Sequence, residues 1–115
     1  MNSKDNIIYL EDFRITIGKV KSKVFTGRDR GEEVRKVSNI DEIYKQYGTV
    51  KVIIPSDIFS ITPSFLEEFF YNIVTNFGLD EFRKNVIIEP NGYKIEIPLE
   101  EGIQRILQRK TAIDK

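Results

Sequence analysis

The chain has 115 residues, 40% of them apolar, and its 18 basic and 18 acidic side chains cancel. A length of this order fits one domain that buries about 65% of the surface its unfolded form exposes, so a core needs neither metal nor disulfide. The absence of His and Cys excludes thiol nucleophiles, Ser-His-Asp triads, imidazole proton shuttles and Cys/His zinc sites, and the zero net charge disfavours generic nucleic-acid binding, which draws on a basic excess.

No apolar run approaches the ~18 residues of a membrane span. Residues 1–6 are polar and contain no apolar signal core. The expectation is a cytoplasmic protein with no cofactor, no metal and no membrane contact. Eight Phe and five Tyr supply large side chains for a core.

Residues 7–10 and 13–17 read as two short strands linked by Glu11-Asp12, the second alternating Phe13, Ile15 and Ile17 with Arg14 and Thr16. A basic stretch (Lys19, Lys21, Lys23) leads to a turn or helix entrance at Thr26–Gly31. A helical segment follows to about Tyr47, with Val34, Val37, Ile40, Ile43, Tyr44 and Tyr47 on one stripe and Gly48 in the position of a C-terminal cap. Ser38-Asn39-Ile40-Asp41 has the spacing of a capping box, with Asp in place of the usual Glu, and predicts a break or a kink there. Residues 49–54 are a β-branched run, the pattern of a central strand covered on both faces.

Thr62-Pro63 opens the clearest helix: a hydroxyl to accept from an orphan N–H, then a proline where no N–H is needed. Phe65, Leu66, Phe69, Phe70, Ile73, Val74 and Phe77 form its wide apolar stripe, ended by Gly78. Residues 85–89 read as a strand and 90–92 as a turn. Tyr93, Ile95 and Ile97 alternate as a further extended segment, and a last helix over about 99–110 buries Ile103, Ile106 and Leu107. The strand–helix–strand crossover from 50 to 89 predicts a parallel pair. The fold class is therefore α/β, with a mixed, mostly parallel sheet flanked by helices.

Candidate sites follow from this layout. The loop 55–61 leaves the carboxyl end of the central strand, where open α/β sheets gather ligands. It holds Asp57 and three large apolar residues, Ile58, Phe59 and Ile61, which cannot all point inward, so one is expected as an exposed anchor. Arg28, Arg30 and Arg35 with Gly27 and Gly31 offer guanidinium forks for an anion or a partner. Their glycines match no nucleotide-binding fingerprint, and Asp29, Glu32 and Glu33 balance the charge if this is simply a solvated helix start. Glu67 and Glu68 are adjacent and diverge by ~100° on a helix, which favours a solvated or salt-bridged face over a catalytic pair. No catalytic residue is assigned.

The run Ile61-Thr62-Pro63-Ser64-Phe65-Leu66-Glu67-Glu68-Phe69-Phe70 after a β-branched strand resembles the Ser-Phe-Leu-Glu-Glu motif of STAS-like domains. These are prokaryotic relatives of the anti-sigma-factor antagonists. Upstream, Ile15-Thr16-Ile17-Gly18 and Gly27-Arg28, Gly31 and Val34-Arg35 resemble the same family's strand and Gly-Arg helix start, so the resemblance spans about 13–110. It implies a non-catalytic α/β regulatory domain that engages a histidine-kinase-like ATPase or anti-sigma-type partner through residues 56–68. In the antagonists a serine at the start of this helix is phosphorylated. Here Ser64 matches the motif serine, Pro63 falls at the modified position, and Thr62 is the second hydroxyl. The candidate phosphorylation or partner-contact residues are Ser64 and Thr62 from the resemblance, with Asp57 and Phe59 from the loop. The alternative is an anion- or nucleic-acid-associated factor using the basic 19–35 segment, and a third reading is a self-assembling homo-oligomer with exposed Phe or Tyr.

Overall fold

Seven short strands and six α-helices follow one another along residues 3–114, the part of the chain that this computed structural model describes. In chain order they are β1 (Ile7–Tyr9), β2 (Thr16–Ile17), β3 (Val20–Lys21), β4 (Val24–Phe25), α1 (Arg28–Ser38), α2 (Ile40–Tyr47), β5 (Val50–Ile53), β6 (Ser60–Ile61), α3 (Pro63–Phe69), α4 (Tyr71–Phe77), α5 (Leu79–Asn85), β7 (Val86–Glu89) and α6 (Glu96–Asp114). The expected polar N-terminal run begins at Met1 and Asn2, which lie outside the described residues. Among the described residues no helix is long and apolar enough to cross a membrane.

The main sheet is all parallel in the order β1-β5-β7, so the expected crossover pair, β5 with β7, is present. Its register places Ile8, Val52 and Ile88 in one row, on the face that carries the buried Val50 and Ile54. The neighbouring row, Ile7, Lys51 and Ile87, points the other way, where Ile87 is exposed and Lys51 half-buried. The β-branched run is thus covered fully on one face only. Two small ribbons complete the strands: the antiparallel hairpin β2/β3 and the parallel pair β4/β6. The domain is α/β with a mostly parallel sheet.

Between these strands, α3 is the buried element. Residues 65–70 are all buried, as expected of a short helix enclosed on every side. Phe25, Phe65, Phe69, Phe70 and Phe82 form a continuous aromatic chain with ring centroids 4.8–5.6 Å apart. α1 crosses α3 so closely that a Cβ on Gly31 would lie 2.3 Å from the Phe65 carbonyl oxygen. On the far side α6 approaches through Gly102, whose Cβ would lie 3.0 Å from the Pro63 carbonyl.

Several local expectations are corrected. Leu10–Phe13 is a 3-10 turn, so residues 7–10 and 13–17 do not pair with each other. β1 pairs with β5 instead, and the hairpin forms one step later, Ile17 opposite Val20, with Gly18 at φ 65° in its turn. The helix 28–47 does break, at Asn39 in the left-handed region (φ 61°), but the Ser38 hydroxyl donates to the Arg35 carbonyl at 3.3 Å instead of capping α2. The long helix over 62–77 divides at Phe70, and an unanticipated helix, α5, fills the gap before β7. Residues 93–97 do not form a strand: α6 starts at Glu96, burying Ile95 and leaving Ile97 exposed.

Candidate functional site

The loop after β5 is built outward from a tethered backbone. The Ile54 N–H donates to the Glu89 carbonyl at 2.9 Å, which sets the direction in which the chain leaves the sheet. Ile58 then turns inward and is buried, as is Ile61 in β6, whereas Phe59 between them is 81% exposed. The expected apolar anchor is therefore Phe59. Its backbone is not loose: the Phe59 N–H donates to the Lys23 carbonyl at 2.7 Å, and the Ile61 N–H donates to the Tyr93 hydroxyl at 2.9 Å.

Asp57 takes a two-point contact from Arg14, whose Nη1 and Nη2 donate to its two carboxylate oxygens at 2.8 and 3.0 Å. The Arg14 side chain is only 4% exposed and also donates from Nε to the Ser22 carbonyl and from Nη1 to Glu11, each at 2.9 Å. One guanidinium thus fastens the 3-10 turn, the end of the hairpin and the loop together. The hydrogen bond from Arg14 holds the Asp57 carboxyl below its ordinary pKa. The Glu11 carboxyl is lowered by hydrogen bonds from Lys21 and then Arg14. Arg14 was legible only as the polar position of an alternating strand, with nothing to mark its partner 43 residues away.

The adjoining hairpin shows its apolar side chains to solvent. Ile15, Ile17, Val20 and Val24 are all exposed, Ile17 at 78%. Val20 is opposite Ile17 in the hairpin, so these two share a face, and the Ile15 carbonyl just before β2 accepts from the Ser22 N–H at 2.7 Å. The Phe59 backbone is tied to Lys23, two residues beyond the end of β3, by the 2.7 Å hydrogen bond.

At the start of α3 the two hydroxyls separate in role. Thr62 Oγ1 accepts from the Phe65 N–H at 3.3 Å, the expected cap, and also from the Gly27 N–H at 3.1 Å, joining the start of α1 to the start of α3. Ser64 is half-buried and its hydroxyl lies 3.1 Å from Thr62 Oγ1. A modification on Thr62 would break both backbone contacts; Ser64 carries no such duty.

Arg28, Arg30 and Arg35 do not form one site. Arg30 turns back to Glu33 at 2.8 Å and to the Phe13 carbonyl. Arg35 donates to the Glu68 carbonyl and to Glu68 Oε1 at 3.3 Å, with Glu32 and Asp41 within 4.0 Å. Arg28 is exposed, with Nη2 3.5 Å from Glu68 Oε2 and 4.0 Å from Glu67 Oε2. Lys21 is likewise occupied, by Glu11, so within the basic 19–35 segment Lys21 and Arg30 turn to different carboxylates while Arg28 and Arg35 approach opposite oxygens of Glu68.

Glu67 and Glu68 form the unexpected feature. They are 3% and 9% exposed, not a solvated face, and both reach Arg109 Nη1, at 2.8 and 2.6 Å. Their backbones diverge, but two methylenes each let both carboxylates meet one guanidinium, which lies 4.2 Å over the Tyr71 ring. Burial alone would raise the Glu68 carboxyl; hydrogen bonds from Arg109 and Arg35 override it and hold the pKa below the ordinary value. Among the described residues no group of His, Cys, Asp or Glu side chains is arranged to hold a metal, and these carboxylates are occupied by arginines.

Comparison of the chain with protein families, with curated proteins and with solved structures found no match in any of the three.

Proposed function

We propose that this chain is a non-catalytic regulatory domain of STAS-like type that binds a protein partner through Phe59 and the apolar face of the β2/β3 hairpin. The observation that carries the reading is Phe59, 81% exposed on a backbone fixed at both ends. A large apolar side chain on a pre-organised loop is the form of an interface anchor, because little conformational entropy remains to be lost on binding. Ile17 and Val20, opposite each other in the hairpin, and Ile15 before it add exposed apolar side chains beyond the single ones that ordinary surfaces carry.

The partner class is a histidine-kinase-like ATPase or an anti-sigma-type protein, on the resemblance of residues 61–70 and 27–35 to the STAS-like motifs. The packing supports that reading in one respect. The two motif segments meet: Gly31 lies against the Phe65 carbonyl, and Arg35 holds Glu68. Phosphorylation at Ser64 would tune the contact. The hydroxyl sits beside the Phe59 loop in sequence and is free of the backbone bonds that occupy Thr62.

The test is binding of the purified chain to its captured ATPase, comparing wild type, Phe59→Glu and Ser64→Glu. Loss of binding with Phe59→Glu and an altered affinity with Ser64→Glu, both with unchanged circular dichroism, are the expected results. Equal binding by wild type and Ser64→Glu removes the phosphoswitch, and equal binding by Phe59→Glu removes the interface.

A further inference from the structure

The seam between α3 and α6 opens into a depression of about 440 Å³ lined by Arg28, Glu67, Arg105, Gln108 and Arg109. A second depression of about 330 Å³ shares Arg28 and Arg109 with it. The first depression sets three guanidiniums against Glu67. Glu68, which lines the second depression with Asp29 and Glu32, also lies against Arg109 and Arg28. The three arginines therefore exceed these two glutamates by one positive charge. The donors there are largely unspent. Arg109 makes both of its carboxylate bonds through Nη1 alone, which leaves Nη2 and Nε undonated. Arg28 makes no hydrogen bond to the carboxylates, only the longer 3.5 and 4.0 Å approaches. Arg105 is exposed and, among the described residues, has no carboxylate within ion-pair distance.

From this geometry we infer that Arg28, Arg105 and Arg109 form a binding site for a phosphate monoester group. Planar guanidinium forks match the oxygens of a phosphate, and each fork here still has an edge to offer. Arg109 is the pre-organised member, held from behind by two buried carboxylates and by the Tyr71 ring. Glu67 does not repel the incoming anion at full strength, because its charge already lies against Arg109 Nη1 at 2.8 Å. The Gln108 amide adds a neutral donor to the lining. The site assembled is not the trio Arg28, Arg30 and Arg35 that sequence proximity suggests, because Arg30 and Arg35 spend their donors elsewhere. This inference does not rest on the partner-binding reading and uses none of its proposed contact residues, Phe59, Ser64 and the β2/β3 hairpin.

The experiment is titration of the full chain with inorganic phosphate, read by isothermal calorimetry and by ³¹P line broadening, in wild type, Arg105→Gln, Arg28→Gln and Lys94→Gln. Saturable binding is expected in wild type, weakened about tenfold or more in either arginine variant and unchanged in Lys94→Gln, which removes the same charge elsewhere. Arg105 and Arg28 are exposed, so both variants are expected to keep the wild-type unfolding midpoint. Equal phosphate affinity in wild type and Arg105→Gln, or equal weakening by Lys94→Gln, overturns the site. Titration with AMP and with a phosphoserine peptide then separates a small-molecule source of the phosphate from a phosphorylated side chain. Binding of either supports the site, and failure of phosphate, AMP and the peptide together overturns it.

Discussion

The α1/α3/α6 seam and the β2/β3 hairpin invert the ordinary distribution of side chains in opposite ways. The seam draws two glutamates inside, and the hairpin with its neighbouring loop leaves Ile17, Val20 and Phe59 outside. In the seam the inversion is resolved within the chain, since Arg35 and Arg109 donate to the buried carboxylates. At the hairpin nothing among the described residues covers the apolar side chains, while the backbone beneath them is fixed by Arg14 and by the Lys23–Phe59 bond. The buried glutamates, matched internally, read as architecture, and only the outer edges of the arginines around them are left over for a ligand. Exposed apolar surface on a fixed backbone is the feature on which the proposed partner contact rests.

That contrast can be broken most severely at Glu68. Glu68→Ala leaves Arg35 without its buried carboxylate partner and is expected to cost about 3 kcal/mol in urea unfolding. The same group gives the seam a pH dependence. Its folded pKa lies below the unfolded value, so its contribution is complete above about pH 4.3, the ordinary Glu value. It is lost as pH falls through the folded value, because the unfolded chain takes up the proton first. Glu68→Gln should therefore flatten the decline of stability in acid relative to wild type, and an unchanged acid limb would show that the seam carries no such linkage.

Gly31→Ala is the next largest effect, about 2 kcal/mol, since the new Cβ would meet the Phe65 carbonyl and drive α1 from α3. A smaller loss, about 1 kcal/mol, is expected for Arg14→Ala, accompanied by faster amide exchange at 57–59 where the loop loses its Asp57 tether. Phe59→Ala should change stability by less than about 0.5 kcal/mol. A large destabilisation there would mean that Phe59 is part of the core, and the comparison between the two regions would fail.

Much of the architecture was legible in the residues themselves. The strand at β5, the Thr62-Pro63 helix start and the β5/β7 crossover follow from local chemistry that the fold does not override. The break near residue 39 is present, but through the left-handed Asn39 and not through the Ser38 capping box that predicted it, and β5 is covered on one face where two were expected. The misses have physical causes. The division at Phe70 is invisible because the apolar stripe runs unbroken across it. Residues 93–97 alternate like a strand, yet Ile97 faces solvent and the helix has already begun at Glu96. α5 contributes only Phe82 as a buried residue, too little to make a stripe. Of the sites, exposure in the Phe59 loop could be inferred from the crowding of three large apolar residues. Burial of Glu67 and Glu68 could not, because the guanidinium they share arrives on α6 from 41 and 42 residues away.

The most direct test of the partner-binding account is quantitative capture from native lysate, with and without ATP, using wild-type, Phe59→Glu and Ile17→Glu chains as bait. The account predicts that the wild-type chain enriches a kinase-like ATPase and that both variants lose it while keeping the wild-type unfolding midpoint. The same proteins captured equally by all three chains would contradict it.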